Sequence, residues 1–547
     1  MEYISNFGTL MEIAPGVQTN IKYLMMRFSL NNLIFKTLLG LASLLLVSCS
    51  SSEYEKPNII FILADDMSYY DLSGLGQKQF STPHIDQLMD QGLFFTESYA
   101  GSPECAPSRA SLMTGYHMGH CRIRNNRSVR KQDHLLDRDI TVAEMLKSAG
   151  YTTGMVGKWG NGLPGSEGTP DKQGFDYSFG FYDQLRAHGY YPHYLMENGK
   201  AVAIPENYGF DMERTYQHTI SAEGLHTYDD NGMLVPDGIK DPSMAINSQN
   251  YIHRKGLQFI RDHHSNPFFL YYATQLPHGP CITPDLGKFK DKSWDQKHKE
   301  WAAMMEHLDR HVGEIVETLK ELEILDQTVI FFASDNGYSH WGYFGRKRWE
   351  NDSIFNNKGP WRGGKFLPMD GGVRIPFLVN WPGKISPGSS DEVVALYDFP
   401  ATACDLAGIE TPITDGKSLV PLILGKSQGE DLHQYLYWEN GSFGPHSQAT
   451  RFRNWFAFRE HPEKPLQLWD LSSDISCKND VAHSNREIVE EALQIFNESH
   501  TSSEWYVNPG ESKELIERKR IKAESAGMIQ EPVRANSRTP EELTEHP

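Results

Sequence analysis

The chain has 547 residues, with 52 Lys and Arg against 71 Asp and Glu, which gives a formal net charge of −19. Hydrophobic residues make up 39% and aromatic residues 12%, so the chain can bury a core and is not globally disordered. A mean hydropathy of −0.51 excludes a polytopic membrane protein. The acidic balance argues against a nucleic-acid partner, which requires a basic face, but a local positive site for an anionic substrate is not excluded. The length predicts about two to four domains, or one large α/β domain with an appendage.

The N-terminal region has the features of an export signal. Residues 37–48 form an apolar stretch that follows Arg27 and Lys36 and is too short to span a membrane as a stable helix. The stretch ends in a Leu-Val-Ser-Cys sequence, which resembles a bacterial lipobox. In that motif the cysteine, here Cys49, becomes the lipid-bearing first residue of the mature chain.

We therefore expect residues 1–48 to be a signal peptide and residues 49–56 to be a lipid-attached linker. The protein would be an exported lipoprotein of a Gram-negative bacterium, periplasmic or anchored to the outer membrane. Residues 1–24 are typical of an over-extended start, because Met25 and Met26 directly precede the basic residues. An ordinary cleaved signal with an incidental cysteine is the alternative interpretation.

Apolar runs that alternate with helical patterns predict the main fold. Residues 58–64, between Pro57 and Asp65, are apolar after Asn58, as expected of a strand that is buried on both faces. Thr141 and Glu144 form a capping box that opens a helix. Further strands are predicted at 153–157, 268–273, 329–333 and 377–379, and further helices at 82–92 and 301–322. This alternation predicts an α/β fold, a three-layer sandwich with a mostly parallel central sheet.

A Gly-, Lys-, Ser- and Glu-rich stretch at 425–432 predicts a domain boundary. We expect a main domain at 57–428 and a small C-terminal α+β subdomain at 429–507, where short aromatic-rich runs favour an antiparallel sheet. Residues 508–547 are charged and lack aromatic residues, which predicts a mobile or loosely docked tail.

The cysteines do not form a scaffold. The chain has six of them and no CxxC pair, so neither a zinc site nor a disulfide framework is predicted. Setting aside Cys49 leaves an odd number at wide spacing, which indicates that one cysteine has a special role. Cys105 is the candidate.

Acidic and amide side chains follow two of the predicted strands. Asp65 and Asp66 come after 58–64, and Asp335 and Asn336 come after 329–333. Ligands of open α/β sheets bind beyond the carboxyl ends of strands, and these oxygen donors suit Ca²⁺ or Mg²⁺. A single Asp-Asp pair would more often be a strand terminus or a helix cap. Two strand ends that both carry oxygen donors favour a cation site.

The motif that is most informative about function begins at Cys105. It runs Cys-Ala-Pro-Ser-Arg and continues to Leu112-Met-Thr-Gly115. This C-x-P-S-R and L-x-T-G pattern resembles the type I sulfatases of the alkaline-phosphatase superfamily, in particular bacterial arylsulfatase-like lipoproteins, over about residues 57–485. In that family a dedicated maturation enzyme oxidises the cysteine to formylglycine. The other family motifs keep their order: Asp65-Asp66, Gly157-Lys158-Trp159, Pro277-His278, Asp335-Asn336-Gly337, Lys365 and Gly371-Gly372-Val-Arg374.

The resemblance implies an alkaline-phosphatase-like fold and a sulfuric ester hydrolase that uses formylglycine and a divalent cation, with Ca²⁺ expected. The implied metal ligands are Asp65, Asp66, the group derived from Cys105, Asp335 and Asn336. The implied catalytic residues are Cys105, Arg109, Lys158, His278 and Lys365.

Each catalytic residue has an implied role. Arg109 would hold the formylglycine, and Lys158 and Lys365 would bind the sulfate oxygens as charge moves to the leaving oxygen. His278 would protonate the leaving alcohol, a task that suits a group of near-neutral pKa.

One position departs from the family pattern. Many members have Lys-Trp-His, and that histidine contacts the formylglycine hydrate, whereas this chain has Lys158-Trp159-Gly160. His188 is the candidate to supply the missing base, although it could instead bind the sugar or be structural. His120 and His340 are weaker alternatives.

The substrate is predicted to be a sulfated carbohydrate. The Lys-Trp-Gly variant and the Asp-Gln-x-x-Ala-His segment resemble a bacterial branch that acts on sulfated galactose or N-acetylgalactosamine, and we expect a 4-O-sulfate from host glycans or marine galactans. Ordinary loop packing is the alternative for the candidate sugar-binding residues. These are Asp183, Arg186, His188, Arg346 and Trp361.

Three alternative functions fit the sequence less well than a sulfatase does. A phosphate or phosphonate ester hydrolase of the same superfamily shares the core motifs, because phosphate and sulfate esters are similar in shape. An inactive glycan-binding lipoprotein is disfavoured by the intact Cys105 motif and metal set. A sulfate-adding transferase would need a nucleotide-donor site, and the chain lacks a Gly-rich phosphate-binding loop of that kind.

Overall fold

The computed structural model describes residues 56–126, 132–211, 224–339, 350–426, 431–440, 446–503 and 512–525. The predicted signal peptide, lipobox and Cys49 lie outside the described residues, as do Arg346 and His340.

A ten-stranded sheet forms the centre of the main domain. Its strands are β1 (Asn58–Ala64), β2 (Leu93–Tyr99), β3 (Thr152–Lys158), β4 (Tyr177–Phe181), β5 (Tyr194–Glu197), β6 (Lys200–Ala203), β9 (Phe268–Ala273), β10 (Thr328–Ser334), β11 (Phe377–Asn380) and β12 (Gly388–Ala395), and a separate hairpin pairs β7 (His226–Tyr228) with β8 (Leu234–Pro236). The order is β12-β2-β11-β10-β1-β9-β3-β4-β5-β6. Only β11 and β5 run against the other strands, so the predicted, mostly parallel sheet is confirmed.

The described helices are α1 (Pro83–Asp90), α2 (Cys105–Thr114), α3 (Val142–Ser148), α4 (Ser248–His263), α5 (Gln296–Glu321), α6 (Asp370–Val373), α7 (Phe399–Ala407), α8 (Val420–Ile423), α9 (Arg486–Ser499) and α10 (Lys513–Ser525). The capping box at α3 is present, with Thr141 N–H donating to Glu144 Oε2 at 2.8 Å. Helix α1 is shorter than predicted, because the chain turns at Gly92, where an added Cβ would lie 2.4 Å from Val379 O.

The alternation of side chains along β1 produces the three layers. Ile60 and Ile62 join the apolar cluster that contains residues of α1, α4 and α5. Phe61 points the other way and packs edge-on against Phe399 of α7, with ring centroids 4.6 Å apart. A strand in the middle of the sheet therefore buries both faces.

The C-terminal subdomain has the predicted antiparallel sheet, with β13 (Leu436–Asn440), β14 (Ser447–Phe452), β15 (Trp455–Arg459) and β16 (Gln467–Asp470) in consecutive order. Phe496 of α9 packs on one face, against Tyr437. The other face packs against the main domain, where Trp438 contacts Tyr99.

The charged C-terminal segment contains a helix that the sequence analysis missed. Helix α10 is rich in Lys, Glu and Arg, which are good helix formers, and Glu517 and Arg520 form an ion pair at 2.6 Å. Lys519 Nζ also donates to Ser503 O at 2.9 Å. Within the described ranges, no helix is both long enough and apolar enough to span a bilayer.

Candidate active site

The register of the parallel strands brings the predicted site residues to one edge of the sheet. Ala64 of β1 is paired with Ser334 of β10, so Asp65 and Asp335 follow at the same level, and Lys158 ends the nearby strand β3. All three side chains are fully buried. The strand ends alone therefore create a closely packed group of charges.

Arg109 joins three parts of this group. Its Nε and Nη2 donate to Asp335 Oδ2 at 3.1 and 2.8 Å, and its Nη1 donates to the backbone oxygen of Lys158 at 2.8 Å. Nη2 also lies 3.7 Å from Asp65 Oδ1. Because Arg109 belongs to α2, these bonds attach the helix that begins at Cys105 to the ends of two strands.

The two lysines pair with the two consecutive aspartates. Lys158 Nζ is 2.6 Å from Asp65 Oδ2, and Lys365 Nζ is 2.6 Å from Asp66 Oδ1. Burial by itself would raise the pKa of Asp66, but the charges of Lys365 and His278 outweigh it and hold that pKa far below its usual range. The site therefore contains three carboxylates, each paired with one cation.

Cys105 is the first residue of α2 and is completely buried. Its Sγ lies 3.5 Å from Asn336 Oδ1, and Asn336 Nδ2 donates to Asp66 Oδ1 at 2.9 Å. Burial raises the pKa of the Cys105 thiol above its usual range. An unmodified thiol in this setting is a poor nucleophile, because the thiolate is the reactive form.

His278 lies beside Lys365 and Asp66. Its Nε2 is 3.4 Å from Lys365 Nζ and 3.4 Å from Asp66 Oδ2, while Nδ1 bonds to the backbone oxygen of Gly279. Burial lowers the pKa of His278 to about 3. Tyr190, which the sequence analysis missed, donates its hydroxyl to the backbone oxygen of His278 at 2.6 Å and so holds this loop in place.

His188 is brought to the same place by a short 3₁₀ turn, Arg186–His188. Its ring stacks on His278 with centroids 4.3 Å apart and an interplanar angle of 5°. Both ring nitrogens are buried and have no hydrogen-bond partner in the described part of the chain. Burial lowers the pKa of His188 well below its usual value.

The neighbouring residues of this segment have different surroundings. Asp183 Oδ1 accepts the backbone N–H of Arg186 at 2.6 Å, which shapes the turn. The Arg186 guanidinium is 5% exposed and stacks 3.4 Å above the Tyr194 ring. Its Nε and Nη2 make no hydrogen bond to any residue that the structure describes.

Gly160, at the position that departs from the family pattern, has a left-handed backbone with φ of +78°. A Cβ built there would lie 2.8 Å from Gln184 Oε1 and 4.0 Å from Ala106 Cα. The Gln184 carboxamide therefore occupies the space beside Gly160. Gln184 belongs to the Asp-Gln-x-x-Ala-His segment, but the sequence analysis gave it no role, because its position depends on the path of the loop.

Trp361 and His120, two further candidates from the sequence analysis, have different surroundings. Trp361 is 4% exposed, stacks on Tyr70 with centroids 5.3 Å apart, and meets the Arg374 guanidinium at 4.8 Å. Its ring faces pack against these two side chains, and its role in sugar binding stays a prediction. His120 lies outside the site and pairs with Asp415 at 2.9 Å.

The donor set fits a hard divalent cation. Ligand atoms of Asp65, Asp66, Cys105 and His278 lie within 4.8 Å of one another. Asp65 Oδ1 is buried without a hydrogen-bond partner among the described residues, which leaves one carboxylate oxygen free for a ligand. Burial and then the charge of Asp65 raise the pKa of Asp335 to about 6. Buried carboxylate oxygens crowded in this way are the ligands that Ca²⁺ and Mg²⁺ prefer.

Comparison with known proteins decides the family. Residues 57–409 match the family model described as Sulfatase. The chain belongs to the sulfatase family. Residues 364–494 of this sulfatase also match the model described as N-sulphoglucosamine sulphohydrolase, C-terminal, which covers most of the antiparallel subdomain.

Curated relatives and solved structures agree with this assignment. The sulfatase is 31% identical to an N-acetylgalactosamine-6-O-sulfatase of Bacteroides thetaiotaomicron, over 81% of this chain and 93% of the relative. It is 29% identical to the human N-acetylgalactosamine-6-sulfatase, over 75% of each chain. The crystal structure of Ps i-CgsB in complex with k-i-k-neocarrahexaose has a TM-score of 0.66 and 27% identity, covering 87% of this chain and all of that one.

The family and the site together establish the activity at a coarse level. The sulfatase is a type I member of the alkaline-phosphatase superfamily and a sulfuric ester hydrolase.

Proposed function

We propose that this sulfatase removes a sulfate ester from N-acetylgalactosamine or galactose, using a formylglycine made from Cys105 and a calcium ion. The observation that carries the proposal is the position of Cys105. It lies at the start of a buried helix, 3.5 Å from Asn336 Oδ1, beside three carboxylates that are each paired with a cation. A nucleophile, a set of oxygen donors and sulfate-binding cations therefore share one buried site.

Asp65, Asp66, Asp335 and Asn336 would hold the cation, which supplies Lewis-acid stabilisation of negative charge. Formylglycine, once hydrated by one water molecule, would supply two hydroxyls, one to attack sulfur and one whose deprotonation would expel sulfate.

The protein's own residues orient the ester and manage its charge. Lys158 and Lys365, which neighbour Cys105 in the site, would bind the sulfate oxygens and stabilise charge on the leaving oxygen. His278 Nε2 lies 3.4 Å from Lys365 Nζ and 3.4 Å from Asp66 Oδ2. Its pKa of about 3 is lower than the near-neutral value expected from the sequence, so the imidazole is neutral here and would have to take up a proton before it protonates the leaving alcohol. The bond from sulfur to the sugar oxygen breaks as that proton arrives.

His188 is the residue that we assign to the sugar side of the site or to the base that the chain lacks at Gly160. Its ring covers His278, and both of its nitrogens are unpaired in the described structure. Arg186, whose buried Nε and Nη2 make no hydrogen bond within the described residues, would supply a further contact to the sugar.

The position of the ester has two candidates. The bacterial relative is named for 6-O-sulfate on N-acetylgalactosamine, which supports that regioisomer first. The sequence analysis predicted a 4-O-sulfate, and the similarity to a structure that holds a carrageenan oligosaccharide keeps a sulfated galactan as the second candidate.

The test is sulfate release from 3-, 4- and 6-O-sulfated galactose, N-acetylgalactosamine and N-acetylglucosamine by protein produced with a maturation enzyme. We expect release from one regioisomer of galactose or N-acetylgalactosamine, and none from the Cys105→Ala variant. The matched control is Cys404→Ala, which alters a buried thiol beside Met145 outside the site and should retain activity.

Other outcomes would support the alternatives. Faster hydrolysis of matched phosphate or phosphonate esters would favour the phosphoester hydrolase. Sugar binding without any turnover, in protein that was made beside the maturation enzyme but whose Cys105 peptide lacks the mass of formylglycine, would favour a glycan-binding lipoprotein.

A further inference from the structure

The C-terminal subdomain contacts the loop that precedes the nucleophile helix α2 at two points. Trp438 Nε1 donates to Ala100 O at 2.8 Å, and Asn440 Nδ2 donates to Glu104 Oε1 at 2.5 Å. Residues two apart project from the same face of a strand, so β13 presents both donors to this loop. Glu104 directly precedes Cys105 and is fully buried.

The second oxygen of Glu104 continues the connection into α2. Glu104 Oε2 accepts the backbone N–H of Asn126 at 2.9 Å, and Asn126 Oδ1 accepts the N–H of Ala106 at 3.0 Å. The first N–H groups of a helix have no partner within the helix. Glu104 stands at the N-cap position but makes no side-chain bond to its own helix, so Asn126 supplies the cap instead.

The charge of Glu104 suits this position. A carboxylate at the N-terminus of a helix is stabilised by the helix dipole, but a buried carboxylate also needs hydrogen-bond donors. Asn440 supplies a donor without adding a charge beside the catalytic cations. The C-terminal subdomain thereby satisfies a group that is covalently next to Cys105.

We infer that Asn440 is a positioning residue, which acts through Glu104 and Asn126 to hold the first turn of α2 and therefore the nucleophile at Cys105. The inference rests on the proposed role of Cys105. Catalytic geometry is sensitive to displacements of about 1 Å, which can cost about 10²-fold in rate, so loss of this contact should lower turnover more than substrate binding.

The first test compares Asn440→Ala with Arg451→Gln. The control removes a different bond between the same two domains, from Arg451 Nη2 to Glu97 Oε2 at 2.8 Å. With 4-methylumbelliferyl sulfate as the probe, we expect Asn440→Ala to lower kcat by about 10- to 100-fold and to leave KM within about threefold. Arg451→Gln should retain kcat, and peptide mass should show equal formylglycine content in all three proteins.

A rescue experiment separates positioning from general destabilisation. Asn440→Asp alone places two carboxylates against each other and should lower kcat. Adding Glu104→Gln in that background exchanges donor and acceptor, because the new amide can donate to the new carboxylate while its oxygen still accepts from Asn126. We expect the double variant to recover most of the lost kcat.

Hydrogen exchange provides a readout that does not require activity. In protein produced without the maturation enzyme, we expect the amides of Ala106, Ser108 and Arg109 to exchange faster in Asn440→Ala than in the parent or in Arg451→Gln. Unchanged kcat in Asn440→Ala, an equal loss of kcat in Arg451→Gln, or unchanged exchange would overturn the inference. If the parent hydrolyses no sulfate ester, the proposed function fails, and the exchange result still decides whether Asn440 orders α2.

Discussion

The buried ion pairs of the site determine how each residue can be probed. Lys158, Lys365 and Arg109 each face a carboxylate that is fully buried. Removing one partner of such a pair leaves an uncompensated charge and typically costs about 3–5 kcal/mol. Substitutions of these cations therefore change stability and catalysis together. His188 makes no ion pair among the described residues, so it is a cleaner probe.

We predict that His188→Ala lowers kcat by about 10²-fold or more, because it removes a polar ring that lies against His278, and acid–base groups contribute effects of that size. Steady-state kinetics on the preferred sulfated sugar measure the loss. His120→Ala is the control, since His120 pairs with Asp415 outside the site. Parent kinetics in His188→Ala would give that histidine a structural role.

At the scale of elements, helices α4 and α5 pack through a buried group of histidines. His253 and His311 stack with centroids 3.8 Å apart, and His307 meets His311 at 4.4 Å. Burial lowers the pKa of His253 to about 4 and that of His307 to about 3. Glu314 bonds to His253 at 2.9 Å, but this single carboxylate does not offset burial.

These lowered pKa values predict loss of stability in acid. A histidine in the unfolded chain takes up a proton near its usual pKa, about 6.5, whereas these folded histidines stay neutral until about pH 4 or below. The unfolded state therefore binds more protons in that window, and the free energy of unfolding should fall as pH drops from about 6.5 to 4.

His307→Gln should reduce the pH dependence of the unfolding free energy by up to about 1.4 kcal/mol per pH unit. Glutamine keeps a hydrogen-bond donor for Asn250 Oδ1, which lies 2.7 Å from His307 Nε2 in the parent. Urea unfolding at pH 7, 6, 5 and 4.5 provides the measurement. An unchanged slope in the variant would show that His307 does not titrate in this range.

At the scale of the whole molecule, the acidic site should couple calcium binding to folding. Asp65, Asp66 and Asp335 follow strands that meet only in the folded sheet, so a cation at this site would bind the native state alone. Such binding raises stability by mass action. We predict that EDTA lowers Tm and abolishes sulfate release, and that added Ca²⁺ restores both.

The matched variant for this experiment is Asp335→Asn, which keeps the shape of the side chain and removes one negative charge. Its Tm should respond much less to Ca²⁺ than that of the parent. A parent Tm that is the same in EDTA and in Ca²⁺ would contradict a calcium site.

We also propose that the protein is exported and held at a membrane through a lipid on Cys49. Cys49→Ala should then move the protein from the membrane fraction to the soluble fraction of a Gram-negative host, because alanine has no thiol to carry the lipid that would be buried in the bilayer. Sulfatase activity should be retained. A Cys49→Ala protein that stays with the membrane would contradict the anchor.

Local patterns in the sequence were sufficient to predict a large part of the fold. The apolar run of β1, the capping box of α3 and the aromatic runs of the C-terminal subdomain were predicted correctly. The structure also brings Asp65, Lys158 and Asp335 together, since residues that follow neighbouring parallel strands must meet at one edge.

Other features depended on contacts that no local pattern encodes. The path of the loop at 183–188 places Gln184 over Gly160 and His188 on His278. Trp361 is typical of a sugar-binding residue in sequence but is covered by Tyr70. Helix α10 lies in a segment whose charge had predicted a loose tail.

The sequence by itself indicated the family, through the motif that begins at Cys105, and predicted the strand ends that carry the charges, because motifs and strand-end chemistry are properties of short segments. Only the tertiary structure decided which side chains complete the site. Asn440 bonds to Glu104 across 336 positions of the chain, and Tyr190 bonds to the His278 loop across 88. Such contacts depend on which faces of distant elements pack together, and that is decided by the whole core.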